Sequence, residues 1–226
     1  ATSVFALHSG SYFGVPGRVV VMLSSLGMSL FFITGWMLYL DRRRSQRAAR
    51  GLRQSLPATP ADGGGTPWLV VHASQSGLGE QLAWRAAAQL QASGHAVQVL
   101  PLARVDAVQL ARTAQALLVL STFGDGEPPD AARGAARRLM AQTLDLSGLQ
   151  FGLLALGDRQ YPHYCGFGRQ VDGWLLGNGA RPLFDRIEVD AASVAALRQW
   201  QLQLGALTGI ATDDSVLPAA TQMHEW

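Results

Sequence analysis

The chain has 226 residues, 48% of them apolar, and carries 18 arginines, no lysine and 16 acidic residues. Residues 1–66 hold seven of the arginines with two acids, and residues 67–226 hold eleven with fourteen acids. The basic first part and mildly acidic remainder argue against nucleic-acid binding by the larger part, and the length admits one full domain with something smaller beside it. Cys165 is the only cysteine, which excludes an internal disulfide and fits a reducing compartment. The first residue is not Met and the chain stops at His224-Glu225-Trp226, so it reads as a piece of a longer protein.

Residues 19–40 are uncharged and mostly apolar. As a helix rising about 1.5 Å per residue, they reach roughly 33 Å, enough to cross the hydrocarbon core of a bilayer. The stretch is too long for a signal peptide and lacks a small-residue cleavage pattern after it. A buried soluble helix is the alternative, and the flanks favour the membrane. Arg42, Arg43, Arg44, Arg47, Arg50 and Arg53 follow the span, while only Arg18 precedes it, so the carboxyl side is expected to be cytoplasmic. Trp36 and Tyr39 fall where an interfacial aromatic belt lies.

Residues 41–67 are basic at first and then rich in Gly and Pro. From about Ser45 to Pro67 they read as a flexible tether with a reach of roughly 25–30 Å. The arginines suit anionic lipid as well as plain positive-inside flanking. Ahead of the span, Leu7-His8-Ser9-Gly10-Ser11-Tyr12-Phe13-Gly14-Val15-Pro16-Gly17-Arg18 is similar to the end of a PepSY-associated transmembrane module, found in bacterial inner-membrane reductases linked to iron uptake. Some members of that group hold haem through histidines near the membrane faces. The resemblance therefore makes His8 a candidate axial haem ligand on the periplasmic side; the bland reading is an interfacial polar residue.

From Trp68 onward, short β-rich runs alternate with helical patterns. Strands are expected at 68–72, 96–101, 116–121, 151–156 and 182–187, and helices at 79–93, 105–114, 129–142, 166–178 and 192–206. Leu82, Ala86 and Leu90 form one apolar face of the first of these helices; Leu197, Trp200 and Leu204 do so in the last. Gly94 and Gly179 stand where helices end. Asp190 reads as the cap of the last helix. Such alternation predicts an α/β fold with a parallel sheet covered on both faces.

Three strand-to-helix loops carry the chemistry. The first, Ala73-Ser74-Gln75-Ser76-Gly77-Leu78-Gly79-Glu80, offers hydroxyls and a helix amino terminus to an anion. It lacks the spacing and the Lys of a triphosphate loop and the glycine pattern of a dinucleotide loop, so a phosphate monoester fits best. The second is Ser121-Thr122-Phe123-Gly124-Asp125-Gly126-Glu127-Pro128-Pro129-Asp130. Phe123 gives a flat apolar face and Gly124 lets the backbone approach a ring; the alternative is a turn with Phe123 in the core. The third is Leu156-Gly157-Asp158-Arg159-Gln160-Tyr161-Pro162-His163-Tyr164-Cys165. All three begin at the carboxyl ends of strands, where open α/β sheets bind ligands.

These loops resemble those of the FMN domains in the diflavin reductase family, of the cytochrome P450 reductase and sulfite reductase flavoprotein type. The first is similar to that family's Ser-Gln-Thr-Gly-Thr-Ala-Glu phosphate loop, matched here by Ser74, Gln75, Ser76, Gly77 and Glu80. Leu78 replaces the second Thr, removing one hydroxyl. The resemblance covers about residues 68–205, within a domain expected over 68–208, and implies a flavodoxin-like five-stranded parallel sheet in the order 2-1-3-4-5. It assigns FMN binding to Ser74, Gln75, Ser76, Gly77, Leu78 and Gly79 in the first loop. In the second it assigns Ser121, Thr122, Phe123, Gly124, Asp125 and Gly126, and in the third Leu156, Gly157, Asp158, Tyr161, His163, Tyr164 and Cys165.

Within that set the resemblance implies that Phe123 and Tyr161 stack on the flavin and that the Gly124 carbonyl meets the N5 proton of the one-electron-reduced ring. His163 and Tyr164 are expected to brace the third loop and begin the next helix, and Cys165 to pack as a small apolar group, a redox role being the alternative. Asp125, Glu127, Asp130 and Asp158 ring the expected site: the bland reading is solvated loops and a helix amino terminus that welcomes carboxylates, and the functional one is charge that disfavours a fully reduced anionic flavin and steers basic partners.

The implied function is a membrane-tethered FMN electron-transfer domain of an NADPH-dependent diflavin reductase. FAD and NADPH would sit on a further carboxyl-terminal domain reached through residues 209–226. Membrane haem or another acceptor would receive the electrons, with ferric-siderophore reduction as one use. The rivals are a flavoprotein subunit serving a soluble haemoprotein such as sulfite reductase, and a flavin-free flavodoxin-like interaction module.

Overall fold

The computed structural model describes residues 14–55, 67–190 and 193–210. Its contacts divide the chain into two compact units, residues 1–44 and 45–226.

Helix α1 runs over Gly14–Ser55. The part over Gly14–Met37 is long and apolar enough to cross a membrane. Its polar side chains turn back onto the helix: the hydroxyls of Ser24, Ser25 and Ser29 donate to the carbonyls of Val20, Val21 and Ser25 at 2.8, 2.9 and 3.1 Å. Such bonds leave no unsatisfied hydroxyl to face an apolar medium. Phe32, Trp36 and Tyr39 form a row of rings with centroids 6.3 and 6.0 Å apart. The helix continues through residues 45–55, which the sequence reading gives to coil. Ala, Arg, Leu and Gln dominate there and are strong helix formers, so loss of apolar periodicity does not end the helix.

The larger unit is a parallel sheet with helices on both faces. In chain order its elements are β1 (Trp68–Ala73), α2 (Leu78–Ala92), β2 (Val97–Pro101), a 3-10 turn (Leu102–Arg104), α3 (Ala107–Arg112), β3 (Gln115–Ser121), α4 (Asp130–Met140), β4 (Gln150–Gly157), α5 (Gly166–Gly177), β5 (Arg181–Pro182), β6 (Ile187–Asp190) and α6 (Val194–Thr208). The strand order is β2-β1-β3-β4-β5, with β6 also paired to β4, and every pairing is parallel.

The period-two alternation of the strands divides the core. Leu69, Val71, Leu118, Leu120, Phe151 and Leu153 face α3, α4 and α5. Val70, Leu117, Val119, Leu154 and Leu156 face α2 and α6. Leu82, Ala86 and Leu90 are buried, as are Leu197, Trp200 and Leu204, so both expected helix faces point inward. Gly94 and Gly179 follow their helices with φ of 87° and 88°.

Three expectations change. The fifth strand is two pieces, β5 and β6, because the intervening chain dips inward at Phe184. A Cβ on Gly152 would lie 2.5 Å from the Phe184 ring, so the ring fills the space a side chain on β4 would take. The ring also meets Trp200 edge-on at 5.7 Å. Second, the helix expected at 105–114 is shortened to α3, which Asp106 caps by accepting the Gln109 N–H at 2.7 Å. Third, α6 is capped by Ser193, whose hydroxyl accepts the Ala196 N–H at 3.3 Å, and not by Asp190.

Candidate functional site

Strand register gathers the three loops. Ala73 lies beside Leu120, Ser121 beside Leu156, and Gly157 beside Asp190. The first loop leaves β1, the second leaves β3 and the third leaves β4, all at the carboxyl edge.

In the first loop the Ser74 hydroxyl accepts the N–H groups of Gly77 and Gly79, at 3.0 and 3.2 Å. The turn is thus shaped around one oxygen at the start of α2, where helical N–H groups lack intrahelical partners. Gln75 and Ser76 are half-buried beside it. The Leu78 side chain is buried in the core, so this residue presents its backbone to the loop. Gly79 joins this loop to the second, since a Cβ there would stand 3.1 Å from Ser74 Cβ and 3.3 Å from Ser121 Oγ.

Ser121 is 1% exposed, and among the described residues its hydroxyl has no hydrogen-bond partner, nor has the buried hydroxyl of Thr122. Buried polar atoms are seldom left unpaired, so the Ser121 hydroxyl, which faces Gly79 of the N–H-rich turn, fits an anionic group such as a phosphate. Thr122 is fixed by its N–H, which donates to the Leu156 carbonyl at 2.8 Å.

Beyond it, Phe123 and Glu127 exchange two backbone bonds of 2.8 and 3.0 Å. They close a narrow turn in which Gly124 and Gly126 have φ of 51° and 92°. The turn holds Phe123 at 49% exposure, so its ring is not a core residue. Asp125 is exposed at the tip. Glu127 and Asp130 both pair with Arg133, at 2.7 and 3.2 Å, which offsets part of the negative rim.

The second and third loops touch at Gly126, where a Cβ would be 2.9 Å from that of His163. In the third loop the Asp158 carboxylate accepts the Gln160 N–H at 2.8 Å and its carbonyl accepts the Tyr161 N–H at 3.1 Å. Tyr161 stands 45% exposed. His163 is also exposed, and its carbonyl accepts the Gly166 N–H at 2.8 Å as α5 begins. Tyr164 is buried, and the guanidiniums of Arg159 and Arg169 lie over its ring, 5.3 and 5.7 Å from the centroid. Burial raises its phenol well above the usual range.

Cys165 starts α5 with φ of 52°, and its thiol donates to the Ala155 carbonyl at 3.4 Å. Burial pushes the thiol up to about 12. Gly157 is required by this return, because a Cβ there would be 2.8 Å from the Cys165 nitrogen. Leu156 is buried in the core.

Sequence reasoning missed Asp190, which accepts the Arg159 N–H at 3.0 Å from the end of β6. No sequence signal marks it, since the contact depends on the β4/β6 register. His8 lies outside the described residues.

A doubly wound sheet with a hydroxyl-rich cradle at one loop and two exposed rings at its neighbours defines the class that takes a ligand at the switch point of strand order. Comparison with known proteins narrows it. The flavodoxin profile matches residues 70–200, and the profile of the PepSY-associated TM region matches residues 1–42. The chain is 36% identical over 197 residues to the sulfite reductase [NADPH] flavoprotein alpha-component of Neisseria meningitidis serogroup C, covering 85% of this chain and 32% of that one. It is 35% identical over 126 residues to NADPH oxidoreductase A of Dictyostelium discoideum, covering 55% of this chain and 20% of that one.

Among solved structures it is similar to the Streptococcus pneumoniae TIGR4 flavodoxin at 26% identity and a TM-score of 0.55, covering 64% of this chain and 99% of that one. A cysteine-to-serine mutant of the flavodoxin from Pseudomonas aeruginosa gives 27% and 0.56, covering 64% and 97%. The chain belongs to the flavodoxin family. It spans a third or less of the length of the two curated relatives named here.

Proposed function

We propose that residues 67–210 bind FMN and pass electrons as part of a membrane-tethered, NADPH-dependent diflavin reductase. The observation that carries this reading is the meeting of the unpartnered buried hydroxyl of Ser121 with the Ser74 turn across Gly79, with half-exposed Phe123 and Tyr161 on the two neighbouring loops. Ser76, Ser121 and the turn that Ser74 braces through Gly77 and Gly79 would hold the phosphate, with Thr122 on the adjoining loop. Phe123 and Tyr161 would cover the ring and exclude water, and the Gly124 carbonyl would hold a proton at the ring's N5. When bound, FMN supplies the exchange between paired and single electrons. Asp125 and Asp158 add negative charge beside the ring, opposing an anionic reduced form.

NADPH and FAD would act on a further domain of the same polypeptide, a reading supported by the longer NADPH-dependent relatives. The apolar stretch of α1 and the PepSY-associated match support membrane anchoring. We assign the bacterial inner membrane and a cytoplasmic flavodoxin-like domain from the arginines that follow residue 40. Membrane haem, with His8 a candidate ligand, or ferric-siderophore reduction would then be the destination of the electrons. Similarity to sulfite reductase flavoproteins favours a soluble haemoprotein acceptor instead, and retained activity after deletion of residues 1–66 would select it.

The direct test is expression of residues 67–210 with added FMN. A yellow protein that quenches flavin fluorescence is expected; a colourless one that cannot take up FMN sinks the proposal.

A further inference from the structure

We propose that Asp190, on the last strand of the sheet, is the positioning residue for the aromatic wall formed by Tyr161. The inference rests on the flavin reading above. Tyr161 is half exposed, so packing does not fix its ring and the ring stands where its main chain puts it. That main chain leaves β4 at Gly157, which lies in register with Asp190 of β6. Asp190 Oδ1 accepts the Arg159 N–H at 3.0 Å, and Oδ2 is 3.9 Å from Arg159 Nε. One carboxylate thus restrains both the backbone and the side chain of a residue two positions before Tyr161. Asp158 then closes the turn onto Gln160 and Tyr161.

The restraint is anchored from behind. The Arg159 guanidinium covers one face of Tyr164 and that of Arg169 also lies over the ring. Arg169 is held by both oxygens of Glu188, each at 2.8 Å. Glu188 also accepts Arg186 Nε at 3.0 Å, and Arg186 pairs with Asp172 of α5. Residues 188 and 190 of β6 therefore each grip an arginine that contacts Tyr164. Since Ser193 caps α6, the Asp190 carboxylate is not needed for that role.

The test is a double-mutant cycle on the full chain, titrating FMN and riboflavin by flavin fluorescence. Asp190→Ala is expected to weaken both ligands by the same factor, about fivefold, as for loss of one restraining hydrogen bond. Asp190→Asn, which keeps an acceptor oxygen, should stay within about twofold. In a Tyr161→Ala background, Asp190→Ala should cost almost nothing further. An equal cost in both backgrounds, or a loss confined to FMN, overturns the inference. If the alanine variant does not fold, Asp190→Ser, too short to reach Arg159, enters the same cycle.

Wild-type protein that binds neither ligand refutes the flavin reading itself. Asp190 is then judged on amide exchange at Arg159 and Tyr161. Exchange at least about tenfold faster in Asp190→Ala than in wild type is expected, and unchanged exchange overturns the inference.

Discussion

Phe123 and Tyr161 owe their exposure to tight turns, the first closed by the Phe123–Glu127 pair and the second by Asp158. Neither ring belongs to the core, so each can be removed without opening a cavity. Phe123→Ala and Tyr161→Ala are each expected to lower FMN affinity by about tenfold while leaving the thermal midpoint nearly unchanged. Equilibrium titration beside a melting curve checks both, and unaltered affinity would remove the rings from the site.

Cys165 is the opposite case, sealed in the core with its thiol pushed up chiefly by burial. Almost no thiolate forms at neutral pH, so a thiol reagent should leave the native protein unmodified and label it promptly in urea, as read by mass spectrometry.

His72 adds a pH dependence. Burial lowers its imidazole from the ordinary value of 6.5, with Glu80 opposing part of that shift. Below about pH 6.5 the unfolded chain takes up this proton more readily than the native one, so stability falls as pH drops toward the folded value. Urea midpoints should decline between pH 7 and pH 5.5 more in wild type than in His72→Phe; parallel declines would exclude the effect. The hydroxyls and rings of the loops are legible in sequence because their chemistry is local. Asp190 is not, because an acid just before a helix looks like a cap.

At the level of elements, α5 lies unusually close to β4. A Cβ on Gly168 would stand 2.4 Å from that of Ala155, whereas one on Gly173, an exposed position of the same helix, would meet nothing within 4 Å. Gly168→Ala should therefore destabilise by about 1–3 kcal/mol through overpacking. Gly173→Ala should be neutral or stabilise by up to about 1 kcal/mol, since alanine favours helix. Urea unfolding of the pair measures both, and equal effects would contradict the close approach.

The same close packing shows why element boundaries were partly legible. Apolar periodicity located β1 to β4 and five helices of the larger unit. It placed a single strand at 182–187, across the break between β5 and β6 where Phe184 sits over Gly152, and stopped where β6 begins. It also ended α1 too early, since a helix need not have an apolar face to persist.

The division between the two units falls between residues 44 and 45, within α1, and the two-sided core of the larger unit lies within residues 68–204. Residues 67–210 should therefore fold alone, with the thermal midpoint of the same unit in the full chain. The full chain should pellet with membranes and the fragment should not. A fragment that melts much lower, or that aggregates, would show that the core needs residues outside it.

Sequence by itself determined the alternation of strand and helix, the covering of both sheet faces, the apolar helix and the composition of three ligand loops. Each rests on residues within a few positions of one another, read through periods of 2 and 3.6 and the chemistry of turns. Tertiary structure alone decided that Asp190 holds Arg159 across 31 positions, that Phe184 fills the gap over Gly152, and that Gly126 seats against His163. Those contacts arise from the register of parallel strands joined by long crossovers. A shift of one residue would turn every side chain to the other face, and burial of both faces is what fixes it.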